Sequence, residues 1–222
     1  MDRDWYLALN LLARQTPWLH GFMASYALWG GLVLLSVLLV IGWLRGRLQP
    51  DAPARSASAL LTGVAVVAAV VLNQQLLSPV VGRVRPCHAV AGALALLPCG
   101  QDFSMPSDHC IMAGAFMAGL FFVSRRLGIV AVIAAAALAF GRVYTGMHYP
   151  TDTMAGLAAG ALIALVLQWI LHRPVSRLLL RLTRTPLAVL VQAPRAATDA
   201  ACSRQPGKMT ESTMARGTRR EP

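Results

Sequence analysis

Charged residues are scarce in this chain of 222 residues: only 13% are Asp, Glu, Lys or Arg, whereas 56% are hydrophobic and the mean hydropathy is +0.57. A soluble domain usually carries about 25% charged residues. Much of the surface is therefore expected to face lipid instead of water. Lysine is almost missing, since Lys208 is the single lysine among 20 basic residues, and the net charge is +11. In a membrane protein this arginine excess indicates cytoplasmic loops and tails, and no nucleic-acid partner is predicted.

Metal-binding patterns are also missing. None of the four cysteines shows the Cys-x-x-Cys spacing of structural zinc sites. No acidic cluster supplies magnesium ligands, so we expect neither a metal nor another cofactor. Cys87 and Cys99 lie in one short segment, and the sequence leaves open whether they form a disulfide or remain free thiols. The N-terminus has no basic region before its first apolar run, so a cleavable signal peptide is not expected.

Long apolar stretches dominate what is present. Crossing a bilayer takes about 20 apolar residues, and five stretches approach or exceed this length: 22–44, 57–77, 107–123, 128–142 and 152–171. Residues 5–20 are predicted to form an amphipathic helix in the membrane interface or a partial sixth span. Residues 89–97 are too short to cross and are predicted to form a small helix on the membrane face. The predicted fold is an all-α polytopic membrane bundle of five to six spans.

Three regions are expected from this pattern: an N-terminal interfacial helix over 1–21, a transmembrane domain over 22–172, and a basic, largely disordered tail over 173–222. Alternation of the spans puts nine arginines of the loops and the tail on one side, which should be cytoplasmic. They are Arg45, Arg47, Arg55, Arg125, Arg126, Arg173, Arg177, Arg181 and Arg184. The C-terminus is thus expected on the cytoplasmic side of the membrane.

The same alternation brings three polar clusters, residues 82–86, 104–109 and 141–152, to the opposite, extracytoplasmic side. Each cluster alone has an ordinary explanation, such as a headgroup anchor, a helix cap or an interfacial histidine. Together they place several charged groups beside membrane spans, where charge is costly and usually functional. The coincidence of all three predicts a functional site at this face.

Several residues of these clusters suit the binding of phosphate. Arg85 and Arg142 carry planar, permanently charged guanidinium groups that match phosphate oxygens. Ser107 adds a hydroxyl donor. Pro106 and Pro150 each suit the first turn of a helix, whose N-terminus attracts anions.

The histidines suit the transfer of a phosphoryl group. His148 and Asp152 are four residues apart, so one helical face could bring the carboxylate to the imidazole. The other ring nitrogen would then be free to attack phosphorus. His109 remains to protonate the departing oxygen.

At these positions the sequence resembles the type 2 phosphatidic acid phosphatase (PAP2) superfamily of membrane lipid phosphatases, which shares its fold with haloperoxidases. The motifs of that family are K-x6-R-P, P-S-G-H and S-R-x5-H-x3-D. The matching residues here are Arg85-Pro86, Pro106-Ser107-Asp108-His109, and Arg142, His148 and Asp152. The resemblance covers about residues 5–172 and implies six helices and no metal.

The resemblance also implies a role for each matched residue. His148 would be the nucleophile that forms a phosphohistidine, Asp152 its orienting partner, and His109 the general acid. The phosphate would be bound by Arg85, Arg142 and Ser107.

Two positions depart from the motifs. Ser78 stands where the family has its lysine, and Gly141 stands where it has a serine. We expect Arg83 to supply the missing positive charge to the phosphate, because it lies near the same end of its span.

The replacement of glycine by Asp108 is similar to the bacitracin-resistance branch of the family, the undecaprenyl-diphosphate phosphatases. This implies hydrolysis of undecaprenyl diphosphate to undecaprenyl phosphate and phosphate for cell-wall synthesis. Asp108 is expected to contact the second phosphate group, by a hydrogen bond or by helping to protonate it.

Other functions compete with this interpretation. The nearest alternative is a phosphatidylglycerophosphate or phosphatidate phosphatase. A vanadate haloperoxidase shares the motifs, but the membrane spans argue against it. A transporter would carry its charges near the bilayer midplane instead of at span ends. Ser78 and Gly141 also leave open a non-catalytic phospholipid-binding protein. The expected partners are a lipid phosphate and the bilayer; nothing in the sequence indicates a protein partner.

Overall fold

A computed structural model describes residues 1–193, and every regular element among them is a helix. This confirms the predicted all-α class. The predicted disordered tail lies outside the described residues from position 194 onwards, and the described part of 173–193 is largely helical.

The membrane part consists of five helical rods that run alternately up and down. The first is a continuous rod over Pro17–Gly46, made of a 3-10 turn (Pro17–Leu19), α2 (His20–Ser25), a π-helical turn (Tyr26–Gly30) and α3 (Gly31–Gly46). The second contains α4 (Ala52–Leu72), a π-helical turn (Asn73–Leu77) and α5 (Ser78–Val81). The others are α7 (Asp108–Val123), α8 (Arg125–Tyr144) and α9 (Pro150–Leu182). Four of these rods are long and apolar enough to cross a membrane; α7 has only 16 residues. Three short helices complete the described chain: α1 (Asp2–Gln15), α6 (Pro86–Ala89) and α10 (Ala188–Val191).

Helix α7 occupies the centre of the bundle, between α4, α8 and α9. Its contact with α9 depends on glycine, because a Cβ atom on Gly160 would overlap the Ile111 carbonyl oxygen and one on Gly114 would overlap the Leu157 carbonyl. Small residues at such crossings let two backbones approach closely. The crossing fixes the beginnings of α7 and α9 relative to each other, and both beginnings carry predicted site residues.

Helices α8 and α9 are longer than the apolar stretches that predicted them. Arg125 and Arg126 belong to the first turn of α8 instead of a loop. At 1.5 Å per residue, the 33 residues of α9 extend for about 50 Å, well beyond a hydrocarbon core of about 30 Å. Hydropathy detects only the apolar part of a helix, so the polar last turns of α9 were assigned to the tail.

Helix α1 lies across the end of the bundle that holds the polar clusters. Asn10 Nδ2 donates to the Leu94 carbonyl at 2.8 Å, and the Tyr6 hydroxyl donates to the Gly146 carbonyl at 3.5 Å. Trp5 on the same helix is 66% exposed. An amphipathic helix with this placement suits the membrane interface.

The helix predicted over residues 89–97 is not formed. Only Pro86–Ala89 is helical, and Gly92 adopts a left-handed φ of 70°. The N–H of Leu94 donates to Asn10 Oδ1 at 3.1 Å, and the N–H of Leu96 donates to the Thr145 carbonyl at 3.0 Å. Because distant partners satisfy these backbone groups, the segment needs no helix of its own.

The expectation for the two prolines is half right. Pro150 is the first residue of α9, as predicted. Pro106 lies before α7, whose N-cap is Ser107 in an extended conformation. Pro106 therefore ends the incoming loop instead of opening the helix.

Candidate active site

The three predicted clusters meet at one end of the bundle. They come from the loop after α5, the loop before α7 and the α8–α9 connection, together with the first turns of α7 and α9. Seven polar side chains are buried there: Arg85, Ser104, Ser107, Arg142, Thr145, His148 and Asp152. Burial of so many polar groups is unusual and marks this end as the candidate site.

His148 lies at the centre, 1% exposed, in the connection just before α9. Its Nδ1 is 2.8 Å from the Ser104 carbonyl oxygen, so Nδ1 carries the proton and donates it. Its Nε2 faces two guanidinium groups, with Arg85 Nη1 at 3.1 Å and Arg142 Nη2 at 3.0 Å. Burial and the charges of Arg142 and Arg85 hold the pKa of His148 well below its ordinary value. The ring is therefore neutral, with the lone pair of Nε2 directed towards the two arginines.

Asp152 approaches this ring through a serine. The two side chains approach each other as expected, but His148 precedes α9 and its Nδ1 is 3.9 Å from Asp152 Oδ2, too far for a direct hydrogen bond. Instead the Ser104 hydroxyl donates to Asp152 Oδ2 at 2.5 Å and lies 3.4 Å from His148 Nδ1. The Tyr149 N–H donates to the same oxygen at 2.8 Å. Ser104 thus positions both partners, a role that the sequence analysis did not assign.

Two buried polar atoms at the site lack a hydrogen-bond partner among residues 1–193: Ser107 Oγ and Arg142 Nε. Buried polar atoms are nearly always paired, with protein or with a ligand. Both belong to residues predicted to bind phosphate. The first turn of α7, which follows Ser107, adds unpaired N–H groups and the positive end of a helix dipole. This combination suits an anion with several oxygens.

These geometric features fit the result of a comparison with protein families. The model of the "PAP2 superfamily" matches residues 56–175, which is more than half of the chain. This chain belongs to the PAP2 superfamily.

Two PAP2 relatives and one solved structure show how far the similarity extends. Undecaprenyl-diphosphatase BcrC of Bacillus subtilis is 31% identical over 144 residues, covering 64% of this chain and 68% of that protein. Bacitracin transport permease protein BcrC of Bacillus licheniformis is 28% identical over 176 residues, covering 76% and 80%. The crystal structure of a transmembrane PAP2 type phosphatidylglycerolphosphate phosphatase from Bacillus subtilis superposes with a TM-score of 0.57 at 22% identity, covering 77% of this chain and 86% of that one. This last likeness shows a shared fold.

Arg83, the expected substitute for the PAP2 lysine, is bound by two carboxylates. Its Nη1 is 2.7 Å from Asp152 Oδ1 and its Nη2 is 2.5 Å from Asp2 Oδ2. Both terminal nitrogens are therefore used by carboxylates, and the expectation that Arg83 offers its charge to the phosphate is not supported. Ser78, at the lysine position, lies half-buried in α5.

Arg85, by contrast, has an unexpected partner. Its Nη2 is 2.6 Å and its Nε 3.2 Å from the two carboxylate oxygens of Asp102, whose side chain is 59% exposed. Partial burial alone would raise the pKa of Asp102, but the hydrogen bond and charge of Arg85 hold it below its ordinary value. Asp102 lies outside the three PAP2 motifs, and only the structure reveals it.

The remaining motif residues lie in the first turn of α7. His109 Nε2 is 3.1 Å from the Leu28 carbonyl in the first π-helical turn. Asp108 accepts from Asn73 Nδ2 at 2.7 Å and from Gln74 Nε2 at 3.2 Å, both in the second π-helical turn. Among the described residues, neither side chain is hydrogen-bonded to His148. Such π-helical turns are frequent beside functional sites.

Cys87 and Cys99 form a disulfide, which settles the alternative that the sequence left open. It closes the loop that leads to Asp102 and Ser104. Together with His88 these cysteines are the single group of potential metal ligands found within residues 1–193. Because both sulfurs are bonded to each other, they are not available as thiolate ligands.

Proposed function

We propose that this chain is a membrane lipid phosphatase that hydrolyses undecaprenyl diphosphate to undecaprenyl phosphate and inorganic phosphate. The observation that carries the proposal is the neutral, buried His148, whose Nε2 lies within 3.1 Å of two arginines. The substrate is suggested by relatives named undecaprenyl-diphosphatase from Bacillus subtilis and Sulfolobus acidocaldarius. A phosphatidylglycerophosphate phosphatase is the alternative against which the substrate must be tested.

The terminal phosphate would bind where His148 Nε2 now contacts the two guanidinium groups. Arg85 and Arg142 would hold its equatorial oxygens, and Ser107 Oγ and the N-terminus of α7 would supply further donors. These groups neutralise the charge that develops on phosphorus without a metal ion.

Catalysis would proceed in two displacements. First, the lone pair of His148 Nε2 forms a bond to phosphorus, and the bond to the bridging oxygen breaks. Undecaprenyl phosphate leaves with a proton from His109. Since the Nε2–H of His109 is bound to the Leu28 carbonyl, the step requires the imidazolium form of His109, and the donated proton would come from its Nδ1. In the second step water attacks phosphorus, its proton returns to His109, and the N–P bond breaks to release phosphate.

An apolar groove beside His109 suits the lipid part of the substrate. It has a volume of about 470 Å³ and is lined by Phe22, Tyr26, Leu28, Trp29 and Leu97. A larger groove of about 960 Å³ lies among α3, α4, α9 and α10, and its lining includes none of the site residues. The smaller groove is therefore the better candidate for the isoprenoid next to the diphosphate.

We also propose that the site faces the outside of a bacterial cytoplasmic membrane. The disulfide between Cys87 and Cys99 lies at the site end, and disulfides persist in oxidising compartments. The loop arginines of the opposite end suit the cytoplasmic side.

The function is tested with the full chain reconstituted in liposomes that contain undecaprenyl diphosphate and EDTA, with release of phosphate as the readout. We expect turnover in the wild type, and a loss of at least about 1,000-fold in His148→Ala, because the nucleophile is removed. His172→Ala is the matched control, since His172 contacts the Ala54 carbonyl at the opposite end of the bundle. It should retain wild-type activity.

An acid-labile, base-stable phosphoprotein should be trapped during wild-type turnover and should be missing in His148→Ala. Faster hydrolysis of phosphatidylglycerophosphate than of undecaprenyl diphosphate would contradict the proposed substrate assignment. If the protein hydrolyses none of the lipid phosphates tested, the proposed enzymatic function is wrong.

Sidedness is tested by labelling with a membrane-impermeant maleimide. Cys87 and Cys99 are bridged and Cys110 is buried, so Cys202 is the remaining thiol in the sequence. It should react in inverted vesicles but not in intact spheroplasts, and Cys202→Ser provides the blank. Labelling from outside would reverse the proposed orientation.

A further inference from the structure

Arg83 binds a set of groups that the phosphate-binding arginines do not touch. Its Nη1 is 2.7 Å from both Asp152 Oδ1 and the Thr151 hydroxyl, and its Nη2 is 2.5 Å from Asp2 Oδ2. The Cζ atom of its guanidinium lies over the ring of Tyr149, 3.9 Å from the ring centroid. Four partners thus fix this side chain against the first turn of α9.

Asp152 depends on that arginine for its charge balance. Its side chain is fully buried, and its second oxygen accepts from the Ser104 hydroxyl and the Tyr149 N–H. A buried carboxylate without a counter-charge is strongly disfavoured. The charged and titratable groups that face it are Arg83, the neutral His148, the thiol of Cys110 and, through Arg83, Asp2. Arg83 is the cation among them.

Helix α1 holds Arg83 from the other side. Asp2 Oδ1 accepts from the Thr151 N–H at 3.1 Å, and Asp2 Oδ2 accepts from the Thr151 hydroxyl at 2.7 Å. Thr151 is the second residue of α9, so Asp2 also satisfies an otherwise unpaired N–H at the start of that helix. Asp2 therefore ties α1, Arg83 and the first turn of α9 into one unit.

We propose, on the basis of the phosphatase function above, that Arg83 is a positioning residue for Asp152 and that Asp2 holds it in place. Arg83 keeps the Asp152 carboxylate ionised and fixed; Asp152 fixes Ser104; and the Ser104 carbonyl fixes the tautomer of His148. This series of contacts from α1 to His148 therefore affects the rate of the chemical step, whereas Arg85 and Arg142 affect the binding of phosphate.

The test compares Arg83→Gln and Arg83→Lys with Arg85→Gln in reconstituted full-length enzyme, using undecaprenyl diphosphate as substrate and orthovanadate as a phosphate analogue. For Arg83→Gln we expect kcat to fall roughly 10- to 100-fold, by analogy with the loss of a group that orients a metal-bound histidine. The lower limb of its pH–kcat profile should move to higher pH, because the carboxylate has lost its counter-charge. KM and vanadate inhibition should stay within about three-fold of the wild type.

Arg83→Lys should recover most of kcat and return the lower limb towards its wild-type position, since the positive charge is kept. Arg85→Gln should instead weaken vanadate binding and raise KM. If Arg83→Gln weakens vanadate binding as strongly as Arg85→Gln does, Arg83 is a phosphate ligand and the proposal is overturned.

Asp2→Asn tests the contribution of α1, with Asp4→Asn as the matched control. Asp4 is 76% exposed and pairs with the N-terminal ammonium group. We expect Asp2→Asn to lower kcat several-fold with an unchanged KM, and Asp4→Asn to behave as the wild type. A loss of thermal stability in Asp2→Asn and Arg83→Gln with no change in kcat or in the pH profile would show a merely structural role. An inactive wild type would refute the proposed function itself, which is a different outcome.

Discussion

The two arginines that face His148 at the site end of the bundle are buried, whereas most arginines at the opposite end are exposed. Arg85 and Arg142 are 7% and 5% exposed and both face His148. At the opposite end Arg126 is exposed, and Arg55 pairs with Asp51 with both side chains at least one-third exposed. An exposed pair contributes at most about 1 kcal/mol, and a buried guanidinium must be compensated.

The comparison shows that the burial of an arginine says more about its role than the number of arginines at that end of the bundle. At the opposite end a positive charge is enough for the role proposed there, which is to hold that end on the cytoplasmic side. At the site end the shape of the guanidinium matters as well, because two planar groups converge on one nitrogen atom. Substitutions that keep charge but change shape should therefore separate the two ends.

Among the substitutions that test this comparison, the largest expected effect comes from Arg142→Lys. The lysine keeps the charge but loses the two-pronged geometry that would hold phosphate, so we expect kcat/KM to fall about 100-fold, as for a lost donor in an oxyanion hole. Arg126→Lys, at the other end of the same helix, should change activity by less than two-fold. Equal activity of the two variants would mean that the site arginines supply only charge.

A smaller effect is expected from Ser104→Ala. This variant keeps the backbone carbonyl that accepts from His148 but removes the hydroxyl between the ring and Asp152. A hydrogen bond to a charged group contributes about 1.5 to 3 kcal/mol, so kcat should fall about 10-fold or more with little change in KM. Ser124→Ala is the control, because Ser124 precedes α8 at the opposite end and makes no side-chain cap. A larger change in KM than in kcat would place Ser104 in phosphate binding.

The spans and the meeting of the three clusters could be predicted because both follow from local patterns. The length of each apolar stretch predicts a rod. Because successive rods run in alternate directions, each connection is then assigned to one side of the membrane. Arg85, Arg142 and His148 were placed together by this reasoning, and the structure brings their side chains within hydrogen-bond distance.

What the sequence did not predict depends on contacts between residues far apart in the chain. Ser104 meets His148 across 44 positions, and Asp2 meets Thr151 across 149. No spacing rule encodes such pairs. The i, i+4 rule brought Asp152 only to within 3.9 Å of His148 and did not predict the serine between them, because the rule holds inside a helix and α9 begins at Pro150. The pairing of Arg83 was missed for the same reason: its closeness to Arg85 in sequence said nothing about the two carboxylates that bind it.

The smallest expected effect concerns Asp102, which would compete with the phosphate for Arg85. In Asp102→Asn, inorganic phosphate should inhibit the enzyme about two- to five-fold more strongly than in the wild type. The reason is that an exposed carboxylate no longer competes for the guanidinium of Arg85. Asp51→Asn, which removes the exposed partner of Arg55 at the opposite end, should leave inhibition unchanged. Since the pKa of Asp102 lies below its ordinary value of 3.8, the carboxylate stays ionised as the pH falls. The difference between variant and wild type should therefore persist from about pH 8 to about pH 5 and disappear only below the ordinary carboxylate range. If it fades before pH 5, Arg85 does not hold Asp102 in its charged form, and the pairing at the site end would be as weak as the pairing at the opposite end.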